Sequence, residues 1–393
     1  MSQEAARQYL ANARPRYQQA SKKEKWRILT EFCLITSYSR THAIRLMNRK
    51  AELRSHRSGP KPKYGPDLVK PLKELWLKMG QPCSKRLKPG ISEWLPHYRK
   101  RNPKLTDDQV GLLLEISSST IDRLLAPVRI KRGVSATRAP TGQWYKSVIP
   151  IQAKDWNVTK PGHLQGDTVA HCGDALEGAF ANTLTLTDIH TSWTENAATW
   201  GKAAIVMIDA LKAAEKALPF PVDSMKFDSG SEFMNYGVIA HLRSEGPGIR
   251  PKKIEVLRSR PYKKDDNCYV EEKNLTHVRQ LIGYDRIDQK ACVEIMNRLY
   301  REYWNPLQNF FLPAMKLVRK VRIGSRLKKT YDRPRTPYER VMESKEVSDE
   351  AKAALKARYE HLDPFDLQEG VERELKLLFQ TLRNHRRSLG LAA

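Results

Sequence analysis

The segment GHLQGDTV at residues 162–169 and the segment ANTLTLTDI at residues 181–189 alternate apolar and polar residues. A period of two is typical of half-buried strands, so the two segments predict neighbouring strands. Farther along the chain, MKFDSGSEF at residues 225–233 reads as a short strand followed by a Ser-Gly turn. The middle third of the chain is therefore predicted to be an α/β region.

Each of three acidic residues in this region has a distinct setting. Asp167 lies in the first predicted strand, and Asp228 directly follows the strand-like run that ends at Phe227. Glu271 lies in RPYKKDDNCYVEEKN at residues 260–274, one turn into a predicted helix. The helical spacing and the cap that predict this helix come from Val270, Asn274, Val278 and Leu281 and from Asp266 and Asn267.

Two strand-end carboxylates and one helix carboxylate can converge on divalent cations. Mg²⁺ prefers oxygen ligands and is usually held by one or two carboxylates together with substrate phosphates. A pair of such ions can activate an attacking oxygen and stabilise the leaving oxygen of a phosphodiester. The sequence therefore predicts a site for two Mg²⁺ ions, for which Mn²⁺ can substitute.

The segment from Ser259 to Asn274 resembles the end of the catalytic domain of the retroviral-type integrases and transposases. That family has a Pro-Tyr pair, an Asp-Asn pair, a Val-Glu pair and an Asn one turn later. The matching residues are Pro261, Tyr262, Asp266, Asn267, Val270, Glu271 and Asn274. FDSGSEF likewise resembles the family's Asp-Asn-Gly-x-Glu-Phe element, although Ser229 replaces the commoner Asn and Cys268 the commoner Gly. The resemblance covers about 120 of the 393 residues.

The resemblance implies a ribonuclease-H-like core, with a mixed five-stranded sheet and helices, over residues 151–300. It implies that Asp167, Asp228 and Glu271 are the catalytic and metal-binding triad. Glu272 is the alternative to Glu271 as the third acid. Asp188 is interpreted as a structural residue.

The activity implied by the resemblance is that of an insertion-sequence DNA transposase. Such an enzyme cleaves element ends to expose 3′-hydroxyls and joins them directly to target DNA, without a covalent protein intermediate. The partners are then terminal-repeat and target DNA, held by a homo-oligomer, dimeric or higher. The alternatives are a phage- or retroelement-like integrase and a DNA-binding regulator with an inactive core.

Composition agrees with a partner that is a polyanion. The net charge is +26, from 70 Lys and Arg against 44 Asp and Glu, and such an excess favours nucleic acid. The five cysteines form no CxxC pair, which predicts reduced thiols and excludes the zinc module of retroviral integrases. We expect no membrane segment and a cytoplasmic protein, associated with the nucleoid when it acts.

Residues 1–53 predict a helix-turn-helix domain, with a helix from Lys22 to Thr36, a break at residues 37–39 and a second helix. A small helical bundle without a DNA role is the alternative. Residues 54–66 form a basic linker, which can follow a groove or a phosphate row. The predicted DNA contacts in these two regions are Arg40, Thr41, Arg45, Arg54, Arg57, Lys61 and Lys63.

Residues 67–130 predict a second helix-turn-helix domain, in which a serine run caps the last helix. Its predicted DNA contacts are Ser118, Ser119, Thr120 and Arg123. A second basic linker, residues 131–150, leads into the catalytic domain. The predicted phosphate contacts near the third acid are Lys263, Lys264, Lys273 and Arg279.

Residues 301–346 predict a basic, β-rich DNA-binding region whose strands flank Gly324. Its predicted phosphate contacts are Lys316, Arg319, Arg322, Arg326 and Lys328. Residues 347–393 predict C-terminal helices with one apolar stripe, which forms either part of the core or a helix-pairing seam. The stripe consists of Leu367, Val371, Leu375, Leu378 and Leu382.

Overall fold

The computed structural model describes residues 3–48, 63–130, 158–228, 232–233, 235–243, 254–259, 267–323, 326–388 and 390. The chain divides into two compact units, Met1–Gly65 and Pro66–Ala393. The predicted second helix-turn-helix domain, the catalytic region and both C-terminal regions therefore share one unit. Within the described ranges, no helix has the length and apolar character needed to cross a membrane.

The first unit contains three helices around a small apolar core. Ser21 and Glu24 form a reciprocal capping box at the start of the second helix, which ends at Ser37 with a φ of 59°. Phe32 and Met47, both fully buried, join the second and third helices. The predicted helix, break and second helix are confirmed. The helices are α1 Gln3–Gln19, α2 Lys22–Thr36 and α3 Arg40–Asn48.

The second unit is built on a mixed five-stranded sheet with the order β3-β2-β1-β4-β5. The central strand β1 pairs antiparallel with β2 and parallel with β4. The strands are β1 His163–Ala170, β2 Ala181–Asp188, β3 Thr194–Trp200, β4 Ser224–Phe227 and β5 Glu255–Arg258. Every residue of β2 is buried, as expected of a strand covered on both faces. The predicted mixed sheet of five strands with helices is confirmed.

Helices that precede the sheet in sequence pack into the same unit. The Trp94 indole N–H donates to the Phe311 carbonyl at 3.1 Å, and the Trp94 ring meets Phe365 edge-on. Ser117 Oγ accepts the Thr120 N–H at 3.1 Å, so the predicted serine cap is confirmed. These helices are α4 Val69–Lys78, α5 Ser84–Arg101, α6 Asp107–Glu115 and α7 Ser118–Ile130.

A long helical segment covers the free edge of β3. It begins as α12, Ala291–Arg298, and continues through the π-helical turns Leu299–Trp304 and Leu307–Phe311. Three asparagine amides on this segment each bond both backbone groups of alternate β3 residues, as an added strand would. The pairs are Asn297 with Ala198, Asn305 with Asn196 and Asn309 with Thr194. The predicted boundary at residue 300 falls inside this segment.

The remaining elements are helices beside the sheet, a two-stranded hairpin, and three helices that follow the hairpin in sequence. Between α9 and α12, helix α10 is continued by a π-helical turn and α11. The antiparallel hairpin of β6 and β7 confirms the strands predicted around Gly324. These elements are α8 Ala204–Ala217, α9 Tyr236–Arg243, α10 Cys268–Lys273, α11 Gln280–Ile282, β6 Leu317–Ile323, β7 Arg326–Tyr331, α13 Pro337–Glu343, α14 Asp349–Glu360 and α15 Pro364–Ser388.

The apolar stripe of α15 lies in the core of the second unit. Leu378 and Leu382 are buried against Met296 and Tyr300 of the segment that covers β3. The core interpretation of this stripe is therefore the one that the structure supports.

Candidate active site

Asp167 and Asp228 lie side by side on neighbouring parallel strands. Gly166 of β1 is paired in register with Phe227 of β4. Asp167 directly follows Gly166, and Asp228 directly follows Phe227. Neighbouring strands are about 4.8 Å apart. The two carboxylates are thus brought together at the carboxyl end of β4.

The side chain of Asp167 is held by two hydrogen bonds. The Thr168 N–H donates to Asp167 Oδ1 and the Asn274 side-chain amide donates to Asp167 Oδ2, both at 2.7 Å. Burial and the charge of Asp228 raise the pKa of Asp167 to about 7, against the opposing effect of the Thr168 N–H. The charges of Glu232 and Glu271 raise this pKa further. Asp167 is therefore the centre of a group of mutually repelling carboxylates.

Helix α10, which carries Glu271, is attached to β1 at two points. Oε1 of the buried Gln165 accepts the backbone N–H groups of Tyr269 and Val270, at 3.2 and 3.3 Å. One turn later, Asn274 makes its bond to Asp167. These contacts bracket Glu271 and fix the helix along β1.

The two neighbouring glutamates of α10 differ in their surroundings. Glu271 acts on the pKa of Asp167, whereas Glu272 pairs with the Lys273 ammonium at 3.5 Å and its side chain is 55% exposed. This difference favours Glu271 as the third acid. The π-helical turn Asn274–Arg279 follows directly, and such turns are frequent at functional sites.

Glu232 is a member of the cluster that sequence analysis did not select as a site residue. Its Oε1 accepts from Thr168 Oγ1 and from the Lys202 ammonium, both at 2.6 Å. Burial raises its pKa, but the bonds from Lys202 and Thr168 outweigh burial and the pKa is lowered. The available signal was its position in FDSGSEF. A buried, ionised Glu232 adds fixed negative charge beside Asp167.

The donor chemistry of the cluster suits a hard divalent cation. A cation would offset the repulsion that raises the pKa of Asp167, and carboxylate oxygens are the ligands that Mg²⁺ prefers. As the described side chains stand, no three of His, Cys, Asp and Glu are grouped closely enough to hold a metal ion by themselves. One or two carboxylates plus substrate phosphates are a usual donor set for Mg²⁺, so the cluster fits such an ion together with its substrate.

Asp188 has the structural role that sequence analysis gave it. It is fully buried and accepts the N–H groups of Gly162 and Thr191, at 2.9 and 2.6 Å, and the Thr191 hydroxyl. Burial raises its pKa. These bonds close the turn after β2.

Three of the predicted phosphate contacts are engaged inside the protein. Lys273, predicted to contact a phosphate, is 5% exposed and pairs with Glu272. The Arg279 guanidinium donates to the Ala170 carbonyl at 3.0 Å, and the Lys316 ammonium donates to the His190 carbonyl at 2.7 Å. Burial lowers the pKa of both Lys273 and Arg279.

The other predicted DNA contacts are divided between exposed positions and undescribed ones. Arg40 is exposed but stacks on Trp26 and donates to Thr30 Oγ1 at 3.0 Å. Lys63 lies over the Tyr64 ring. The exposed or half-buried positions are Thr41, Arg45, Ser118, Ser119, Thr120, Arg123, Arg319, Arg322 and Lys328. Arg54, Arg57, Lys61, Lys263, Lys264 and the side chain of Arg326 lie outside the described residues.

Comparisons with known proteins give one substantial relative. No model of a known protein family matches the chain. The uncharacterized protein y4rM of Sinorhizobium fredii (strain NBRC 101917 / NGR234) is 37% identical over 328 residues, which is 83% of this chain and 91% of y4rM. Among solved structures, the simian T-cell lymphotropic virus intasome in complex with PP2A regulatory subunit B56 gamma matches with a TM-score of 0.28 and 13% identity. That match covers 48% of this chain and 59% of the viral chain.

Proposed function

The chain belongs to the same family as y4rM of Sinorhizobium fredii, and we propose that it is a DNA transposase with a ribonuclease-H-like catalytic core. One observation carries the proposal: Asp167 stands level with Asp228 on parallel strands, and the charge of Glu271 on α10 also acts on it. The motifs around these acids resemble those of the retroviral-type integrases and transposases, and the strong positive charge of the chain suits DNA.

In this proposal, Asp167, Asp228 and Glu271 hold two Mg²⁺ ions. When bound, the ions supply activation of the attacking oxygen and charge stabilisation of the leaving oxygen. The protein positions the acids: Asn274 and the Thr168 N–H each hold one oxygen of Asp167. Because the pKa of Asp167 is about 7, this carboxyl carries a proton in part of the molecules at neutral pH. That proton must leave when a cation binds.

The reaction that we propose is a direct transfer between phosphodiesters. A 3′-hydroxyl at the element end forms a bond to a target phosphorus, and the target's bridging P–O bond breaks to leave a new 3′-hydroxyl. The number of phosphodiester bonds is unchanged, so no external energy source is needed. The helix-break-helix of α2 and α3 and the helices α6 and α7 are proposed to bind the element ends.

A joining assay tests the proposal. Oligonucleotides taken from the inverted repeats that flank the gene would be incubated with a plasmid target and Mg²⁺, and joined products would be separated on a gel. We expect joining by the intact protein, and a loss of at least about 100-fold in Asp228→Asn and Glu271→Gln, since each variant keeps its volume and loses a charge. Glu272→Gln is the matched control and should join normally.

The assay also separates the alternatives. Joining by Glu271→Gln but not by Glu272→Gln would reassign the third acid. Tight DNA binding by the intact protein without any cleavage or joining would reject the transposase proposal in favour of a DNA-binding regulator.

A further inference from the structure

A second charged pocket lies apart from the carboxylates, where the hairpin joins the rest of the unit. It has a volume of about 430 Å³. Its walls come from His190 after β2, Tyr269 of α10, Lys316 before β6, Arg335 before α13 and Arg340 within α13. All of these residues belong to one compact unit. Elements that are distant in sequence therefore bring three cationic side chains to one small cavity.

Positive charge exceeds negative charge in this pocket. Two carboxylates, Asp332 and Glu343, also line it. Asp332 is half-buried and accepts from Arg340 Nη1 at 2.7 Å. Glu343 pairs with Arg335, but its side chain is 58% exposed, so water screens its charge. The three cations are thus incompletely neutralised.

In both arginines the Nε donor is buried. Among the described residues, neither Arg335 Nε nor Arg340 Nε has a hydrogen-bond partner, although Arg340 is only 5% exposed. A buried guanidinium N–H without a partner is costly, and an arginine binds phosphate through several N–H groups at once. An oxyanion in the cavity would add acceptors for the two guanidinium groups that line it.

Positive charge crowds Lys316, whose ammonium also donates to the His190 carbonyl at 2.7 Å. Burial and the charge of Arg340 lower the pKa of Lys316 to about 8. The other charged groups that face this ammonium are Asp188, Asp332 and Arg335, and His190 and Glu343 also line the pocket. An oxyanion between Lys316 and the two arginines would remove the repulsion among them.

We propose that this pocket binds a phosphate group, and that the phosphate belongs to the backbone of the DNA that the protein binds. The first part rests on the cavity and the excess of positive charge that lines it. The second part rests on the proposed function, because Tyr269 of the pocket and Glu271 of the carboxylate cluster lie on the same helix, α10. A phosphate held here would fix the path of the strand beside the carboxylates.

Two titrations test the inference with Arg335→Gln as the variant. Arg335 is preferred to Arg340 because Arg340 also bonds the Ala314 carbonyl and its loss risks misfolding. Arg333→Gln is the matched control, since Arg333 is exposed and close in sequence but does not line the pocket. Thermal melting of all three proteins checks that each is folded.

In the first titration, sodium phosphate is added to the full-length protein and heat is measured. In the second, a short fluorescein-labelled duplex is bound at several NaCl concentrations. For a backbone phosphate, we expect Arg335→Gln to bind the duplex less tightly, with a salt slope smaller by about 0.9 than that of Arg333→Gln. Phosphate heat that is lost only in Arg335→Gln, with equal salt slopes, would support the anion site and assign it to free phosphate.

Equal phosphate binding and equal salt slopes in Arg335→Gln and Arg333→Gln would overturn the inference. Failure of the proposed function has a different signature. A protein that binds phosphate through Arg335 but never joins DNA would keep this pocket and lose the transposase assignment.

Discussion

Replacing Asp228 with Asn should stabilise the protein when divalent cations are absent. The charge of Asp228 is the second cause, after burial, that raises the pKa of Asp167 from 3.8 to about 7. A shift of this size corresponds to about 4 kcal/mol at most, at 1.36 kcal/mol per pKa unit. Because Asp228 is not the largest cause, its share is about 1–2 kcal/mol. For a unit of this length that share raises the melting temperature by about 1.5–3 °C.

The sign follows from proton linkage. Below about pH 4 both folded and unfolded chains carry the Asp167 proton, and the cluster costs no stability. Between pH 4 and 7 the unfolded chain has lost this proton and the folded chain keeps it, so stability falls as pH rises. Above pH 7 the free energy of unfolding is lowered by the full amount. The difference between Asp228→Asn and the intact protein should therefore be large at pH 8 and small at pH 4.

The assay is thermal melting of both proteins at pH 4 and pH 8, in EDTA and in Mg²⁺. At ten times its Kd, Mg²⁺ should stabilise the intact protein by about 1.4 kcal/mol at pH 8, and the variant by less. Asp209→Asn, an exchange on the helix α8, controls for the loss of one carboxylate elsewhere. A variant that melts lower than the intact protein in EDTA at pH 8, with no response to Mg²⁺ in either, would refute this reasoning.

Three further substitutions probe the supports of the site. Gln165→Leu removes the acceptor of two α10 amides, so we expect a loss of about 1–3 kcal/mol in urea unfolding and slower joining. Normal joining by this variant would contradict the role given to Gln165. Gly166→Ala brings a Cβ to 2.4 Å from the Phe227 ring, which should lower stability by about 1–3 kcal/mol; an unchanged melting temperature would count against this. Asn305→Leu removes a donor to the buried Glu195, whose pKa is raised by burial to about 7. The variant should therefore lose more stability at pH 8, where Glu195 is ionised, than at pH 5. Equal losses at the two pH values would exclude this link between Asn305 and the ionisation of Glu195.

Local patterns in the sequence predict those parts of the site that depend on local structure. Asp167 lies in a segment whose alternation identifies it as a strand, Asp228 directly follows a short strand-like run, and the helical spacing after Asn267 identifies α10. A residue's position along a strand or helix then follows from the chain alone. These features were predicted because each depends on residues that are near one another in sequence.

Features that depend on distant contacts were missed or misplaced. Glu232 joins the cluster through Lys202 and Thr168, which precede it by 30 and 64 residues, and no local pattern marks such a contact. Lys273 was predicted to contact a DNA phosphate, but its side chain is buried in the second unit, where the charges of Glu272, Arg86 and Arg340 act on it. The fold buries this lysine, and composition could not reveal it.

The predicted boundary at residue 300 falls inside the helical segment that covers β3. π-Helical turns have a longer period than 3.6 residues, so the apolar spacing changes after Leu299 although the helix continues. No local pattern marks Asn297, Asn305 and Asn309, yet each bonds the backbone of the edge strand. Their role appears only when the strand that they complete is known.

Helix α10 lies between a group of carboxylates and a group of cationic side chains. This arrangement indicates how substrate and metal ions act together. On one side, Asp228, Glu232 and Glu271 raise the pKa of Asp167; on the other, Tyr269 lines the pocket where Arg340 lowers the pKa of Lys316. DNA alone would relieve the cationic group and add negative charge beside the carboxylates, whereas Mg²⁺ alone would do the reverse. Each ligand therefore removes the electrostatic obstacle to the other, so the two should bind cooperatively, with a coupling that disappears when the carboxylates are neutralised.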